Sequence, residues 1–172
     1  MKNKKIFAFL SVLLATSVVI NSCSKESPSA AVGSLFTNGT WQLASVMRFN
    51  YVGSSQTSQD TLNTTCDTTQ FFTFSTNKTC TYTNYHCIDQ PTTTGTWALT
   101  TNGLVLNANL TCKDTVSADS CCTTVHPFAD AQIVNIGLYS MVLQVGDIGS
   151  YYTSTQKRTL YRYGFVRKNA SN

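Results

Sequence analysis

The stretch from Gly39 to Tyr51, GTWQLASVMRFNY, limits the fold more than any other part of the chain. Trp41, Leu43, Met47, Phe49 and Tyr51 fall at every second position, interrupted only by Ser45, while Gln42, Arg48 and Asn50 take the other side. A period of two is that of a strand with one buried face. The same alternation returns along the chain. Phe72 and Phe74 mark a strand over 70–75, which turns at Thr76-Asn77 into a strand over 78–87. Trp97 and Leu99 run into a Thr101-Asn102-Gly103 turn, and Leu104, Leu106, Ala108 and Leu110 return. Strands over 132–138 and 141–145 carry Val134, Ile136, Leu138 and Met141, Leu143, Val145, and a last strand over 158–168 carries Tyr161, Tyr163 and Phe165. No stretch of ten residues reads as a helix, so the expected class is all-β. Eight antiparallel strands closed into an up-and-down barrel leave no edge open to pairing with other chains. Such a barrel encloses packed side chains or one small ligand.

The N-terminus reads as a signal rather than as part of that fold. Lys2, Lys4 and Lys5 form a positive region, residues 6–20 an uncharged and mostly apolar one, and Ile20-Asn21-Ser22-Cys23 has the shape of a lipobox. The apolar run is short of the roughly 20 residues a spanning helix needs. Cleavage before Cys23 leaves a cysteine that carries several acyl chains, enough for stable membrane anchoring. The expected division is a signal peptide over 1–22, a lipidated Cys23 with a flexible tether over 23–37, and one domain over 38–172. About 150 mature residues suit a single core. The formal charge of +4 includes the three signal lysines, so the mature chain keeps nine basic residues against eight acidic ones. Without a basic face, nucleic acid is not an expected partner.

Seven cysteines less Cys23 leave Cys66, Cys80, Cys87, Cys112, Cys121 and Cys122. An even number in an exported domain reads as disulfides. Pairing Ser75 with Lys78 across the hairpin sets Cys66 opposite Cys87, and a one-residue bulge moves the partner to Ile88 without separating the two cysteines beyond reach. Adjacent cysteines rarely bond each other, so Cys112 with Cys121 or Cys122 is the second expected pair, and Cys80 is left over.

Two Gly-Thr-Trp signatures at 39–41 and 95–97, the Phe-x-Phe hairpin between cysteines, and the terminal YRYGFVRK at 161–168 together resemble the lipocalins and the lipocalin-like domains of small Gram-negative surface lipoproteins. The resemblance implies an eight-stranded barrel whose closed end is plugged by Trp41, with Arg167 of the last strand lying over that ring. It also implies a bridge between the cysteines flanking the hairpin, Cys66 and Cys87. Ser24 after the lipidated cysteine resembles lipoproteins sent on to the outer membrane.

Candidate chemistry is sparse. Trp41, Met47, Phe49, Phe72, Phe74, Trp97, Tyr161 and Tyr163 are the expected lining of a pocket for a small apolar or amphiphilic ligand. A barrel packed solid, with loops that bind glycan or protein, is the competing expectation. The long polar loop at 53–65 reads equally as a guard of the mouth, as the resemblance implies, or as a solvated insertion, and the segment from Cys112 to Asp130 reads as a cross-linked loop. His86 beside Cys87, and Cys121, Cys122 near His126, offer soft ligands but lack Cys-x-x-Cys spacing, so neither a metal nor a cofactor is expected. No nucleophile elbow or paired carboxylate points to an enzyme. A monomer is expected. Asp60-Thr61, Asp67-Thr68 and Asp114-Thr115 resemble O-glycosylation acceptors and fall in expected loops.

Overall fold

The structure is a computed structural model that describes residues 27–100, 102–114, 123–149 and 151–168. A helix, α1 (Pro28–Thr37), is followed by β1 (Thr40–Val52), β2 (Ser55–Thr61), β3 (Phe71–Phe74), β4 (Thr79–Thr83), β5 (Thr93–Leu99), β6 (Val105–Ala108), β7 (Cys112–Asp114), β8 (Thr123–Val125), β9 (Ala131–Ile136), β10 (Ser140–Gly146) and β11 (Lys157–Lys168). The sheet runs β11-β10-β9-β6-β5-β4-β3-β1 and closes through β11 on β1. These eight antiparallel strands form the barrel. β2 lies outside it, paired to the upper half of β1, and β7 with β8 makes a separate ribbon.

Aromatic side chains fill the barrel. Trp41, Phe72, Phe128 and Phe36 are wholly buried, and Phe74, Tyr82, Trp97 and Phe165 nearly so. Phe72 contacts the rings of Phe74, Tyr82, Phe128 and Phe165, with centroids 4.1 to 6.1 Å apart. Offset and edge-to-face pairs of this kind stabilise beyond the area they bury. Arg167 lies 4.5 Å over the Trp41 ring, and its Nη2 donates to the Leu35 carbonyl. The Trp41 indole N–H donates to the Phe36 carbonyl and that of Trp97 to the Ser75 carbonyl, so both buried donors are satisfied.

Four features depart from the sequence reading. Residues 28–37 are not a flexible tether but a helix, started by Ser27, whose side chain accepts from the Ala30 N–H, with Pro28 in the first turn. It closes the barrel by inserting Phe36 between Phe74 and Trp97. With few large apolar residues, this segment carries no legible periodicity. Residues 55–61 form β2 because β1 is long enough to offer a free edge above β3, and backbone pairing needs no apolar side chain. Asp60-Thr61 therefore lies on a strand and not in a loop. In the β3–β4 hairpin Phe74 pairs with Cys80, one residue out from the expected register, because a three-residue loop ends on Lys78 at φ 68°. Finally, bulges change which side chains face inward. The pairing of β1 with β11 shifts between Leu43 and Ser45, which turns Val46 inward and sends Met47 and Phe49 to the outer face opposite Arg162 and Leu160. Gly164 permits this, since a Cβ there would stand 2.4 Å from the Ser45 hydroxyl. A second shift, on β9 opposite Val142 and Leu143, leaves Val134 exposed.

Candidate functional site

A half-open cavity of about 250 Å³ with mixed polar and apolar chemistry lies beside the barrel mouth. Val46 of β1, Leu62 after β2, and Tyr161 and Tyr163 of β11 form its apolar wall. Thr64, Asp67, Gln70 and His86 form the polar wall, brought together by two loops that the Cys66–Cys87 disulfide ties across the mouth.

Each polar group is held in place by a neighbour. Asp67 is buried, and its carboxylate accepts from the Thr64 N–H at 3.0 Å, the Thr64 hydroxyl at 2.8 Å and the Gln70 amide at 3.4 Å. The Gln70 carbonyl oxygen accepts from the Tyr82 hydroxyl and from the His86 N–H. Asn84, His86 and Cys87 all have positive φ, a run of left-handed residues that the disulfide and these hydrogen bonds stabilise. The His86 ring stacks on Tyr85 with centroids 4.0 Å apart. Its Nδ1 is 2.9 Å from an Asp114 oxygen, and its Nε2 is 3.4 Å from the Tyr163 hydroxyl, which in turn is hydrogen-bonded to Tyr85.

Burial governs the titration of these groups. It raises the Tyr163 phenol to about 12 and lifts those of Tyr82 and Tyr85 well above the ordinary range. All three stay protonated at neutral pH and serve as hydrogen-bond donors. Cys66, Asp67 and Cys87 converge as a metal site would, but the two sulfurs are bonded to each other and cannot act as thiolate ligands.

Of the eight residues expected to line a pocket, the structure brings Tyr161 and Tyr163 to the cavity. Trp41, Phe72 and Phe74 lie deeper, packed among other aromatics, and Trp97, nearly buried itself, borders a separate cavity of about 240 Å³ with Asn107 and Asn109. Met47, half-buried, and Phe49, buried beneath Arg162 at 4.6 Å, lie on the face of β1 opposite Val46 and do not reach the cavity. The polar wall went unread as a site, although the expected disulfide carries its signal: Thr64, Asp67, Gln70 and His86 all stand within four residues of a bridged cysteine. The second expected pairing, of Cys112 with Cys121 or Cys122, has both candidate partners outside the described residues. Among the described residues Cys80 and Cys112 are free, buried thiols, with the Cys112 sulfur 3.5 Å from the Thr93 hydroxyl. Cys23 and the whole signal also lie outside them.

A family model described as a lipocalin-like domain matches residues 37–124. The chain belongs to the lipocalin-like domain family. That span runs from the end of α1 into β8 and includes both Gly-Thr-Trp signatures and the bridged hairpin. No curated protein matches the chain. Proteins of the lipocalin-like family are typically binding proteins rather than enzymes, and the barrel suggests small-ligand binding in general.

Proposed function

We propose that this lipocalin-like protein is anchored to the outer membrane by acyl chains on Cys23 and, as a monomer, binds a small amphiphilic molecule at the barrel mouth. The mouth cavity carries this reading. One wall is apolar, and the other presents hydrogen-bonding groups at fixed positions on two loops that the disulfide ties together. Ligand sites characteristically combine apolar surface with a few oriented polar groups. At about 250 Å³ the space suits a short chain or a single ring, with the polar end toward Gln70 and His86. A long acyl chain would have to displace the aromatic core. The anchor rests on the n-region, the apolar run and the lipobox. The Thr-rich surface and the filled interior favour the second reading, a loop-borne glycan or protein site.

The test is calorimetric titration of the mature protein with saturated fatty acids of increasing length. Short acids should bind, and Val46→Trp, which fills the cavity, should abolish the signal while leaving the fold intact by circular dichroism. Equal binding by Val46→Trp, or no binding at all by the parent, would move the search to the loops. Loss of membrane partition in Cys23→Ala tests the anchor separately.

A further inference from the structure

The end of the barrel opposite the mouth has a distinct chemistry. The segments that meet at the closed end are α1, the β3–β4 turn over 75–78, the β5–β6 turn over 100–104, the β9–β10 turn over 137–139 and the last residues of β11. None of their residues is Asp or Glu. The acidic side chains of the described residues, Asp60, Asp67, Asp89, Asp114, Asp130 and Asp147, all belong to the mouth-side segments. The closed end instead carries Lys78 and Lys168, whose ammonium groups stand 4.0 Å over Trp97 and 4.7 Å over Phe71.

Apolar side chains are exposed at the same end. Tyr139 is 73% exposed and Leu138 55%, both at the tip of the β9–β10 turn, and Val166 is 43% exposed on β11, where it pairs with Ser140. The Arg167 N–H donates to the Tyr139 carbonyl and fixes this tip against β11. Exposed apolar tips rimmed by lysines, without carboxylates, match the chemistry of an anionic lipid surface.

The chain also enters the fold here. Pro28 and Ser29 pass the β5–β6 turn so closely that a Cβ on Gly103 would stand 3.2 Å from the Ser29 Cα. Ser27 follows Cys23 by four positions, and four residues span at most about 14 Å when fully extended. We propose that the closed end docks on an anionic lipid bilayer through Leu138, Tyr139 and Val166, with Lys78 and Lys168 at the headgroups, so that the mouth faces away from the membrane. The tether part of this argument rests on the lipidation of Cys23; the charge and apolar pattern does not.

The test separates the two. The chain from residue 23 onward carrying Cys23→Ala, which keeps every described residue and has no anchor, is sedimented with vesicles of phosphatidylcholine alone or mixed with phosphatidylglycerol. We expect binding to the anionic vesicles only, weakening as salt rises, and reduced on the order of tenfold by Leu138→Glu with Tyr139→Glu. Amide exchange on the vesicles should slow at 137–140 and remain unchanged at 53–59. Absence of anionic-vesicle binding, or binding that the double substitution leaves untouched, overturns the proposal whatever Cys23 carries. The mass of the N-terminal peptide of the natural protein decides lipidation independently.

Discussion

Replacing Phe36 by Ala tests whether α1 is the plug of the barrel or an ornament on it. The ring is wholly buried, meets Phe74 edge-on at 4.7 Å between centroids and lies 5.9 Å from Trp97. Truncating a buried Phe costs about 3–5 kcal/mol in lost transfer energy and residual cavity, and the aromatic pairing with Phe74 falls within that range. The Phe36 carbonyl also accepts from the Trp41 indole, so undocking of the helix leaves that donor without its partner. At roughly 2–4 °C per kcal/mol for a domain of this size, the melting temperature should fall by roughly 6–20 °C. Urea unfolding of Phe36→Ala, followed by near-ultraviolet circular dichroism, reads both effects, because Trp41 and Trp97 dominate that signal. A loss under about 1 kcal/mol with an unchanged tryptophan band would show that the helix does not close the barrel.

Three further outcomes follow from the same geometry. Cys66→Ser opens a loop of sequence separation 21 and should cost about 3 kcal/mol in urea unfolding; no loss would refute a structural role for the bridge. Cys80 and Cys112 should resist alkylation in the native state and react on denaturation, since both are buried and burial pushes the Cys80 thiol up to about 11; rapid native labelling would contradict the packing. Burial raises Cys80 from 9.0 to about 11 and Tyr163 from 10.0 to about 12, so the unfolded chain releases these protons first. Stability should therefore hold below pH 9 and fall as pH rises through 9–12, by up to about 2.7 kcal/mol per group; Tyr163→Phe should flatten the upper part of that fall, and an unchanged slope would contradict its burial.

Much of the barrel was legible because strand alternation records burial directly. Alternation alone puts Trp41, Phe72, Phe74, Trp97, Tyr163 and Phe165 on inner faces, and all six are in the core. The Cys66–Cys87 bridge was legible because hairpin register fixes what lies opposite what, and the one-residue register error left the two cysteines adjacent. Alternation fails at bulges, since one extra residue reverses every side chain beyond it. Ser45, the break in the first strand, was the visible trace of the bulge that exchanges Val46 for Met47 on the inner face. Two kinds of element left no such trace. β2 is held by backbone bonds to β1 and offers polar side chains to solvent, and α1 is anchored mainly through one residue, Phe36. The polar wall of the cavity was illegible for a related reason. Asp67, Gln70 and His86 come together through hydrogen bonds between loops, which sequence spacing does not encode.

Whether the mouth cavity holds a small amphiphile is decided by mass spectrometry of an organic extract of the protein isolated from its own membranes, beside the same extract from Val46→Trp. A short-chain or single-ring amphiphile should co-purify near one equivalent with the parent and be lost from the variant. A clean extract from both, repeated after the protein is offered a mixture of such compounds, would contradict binding at the mouth.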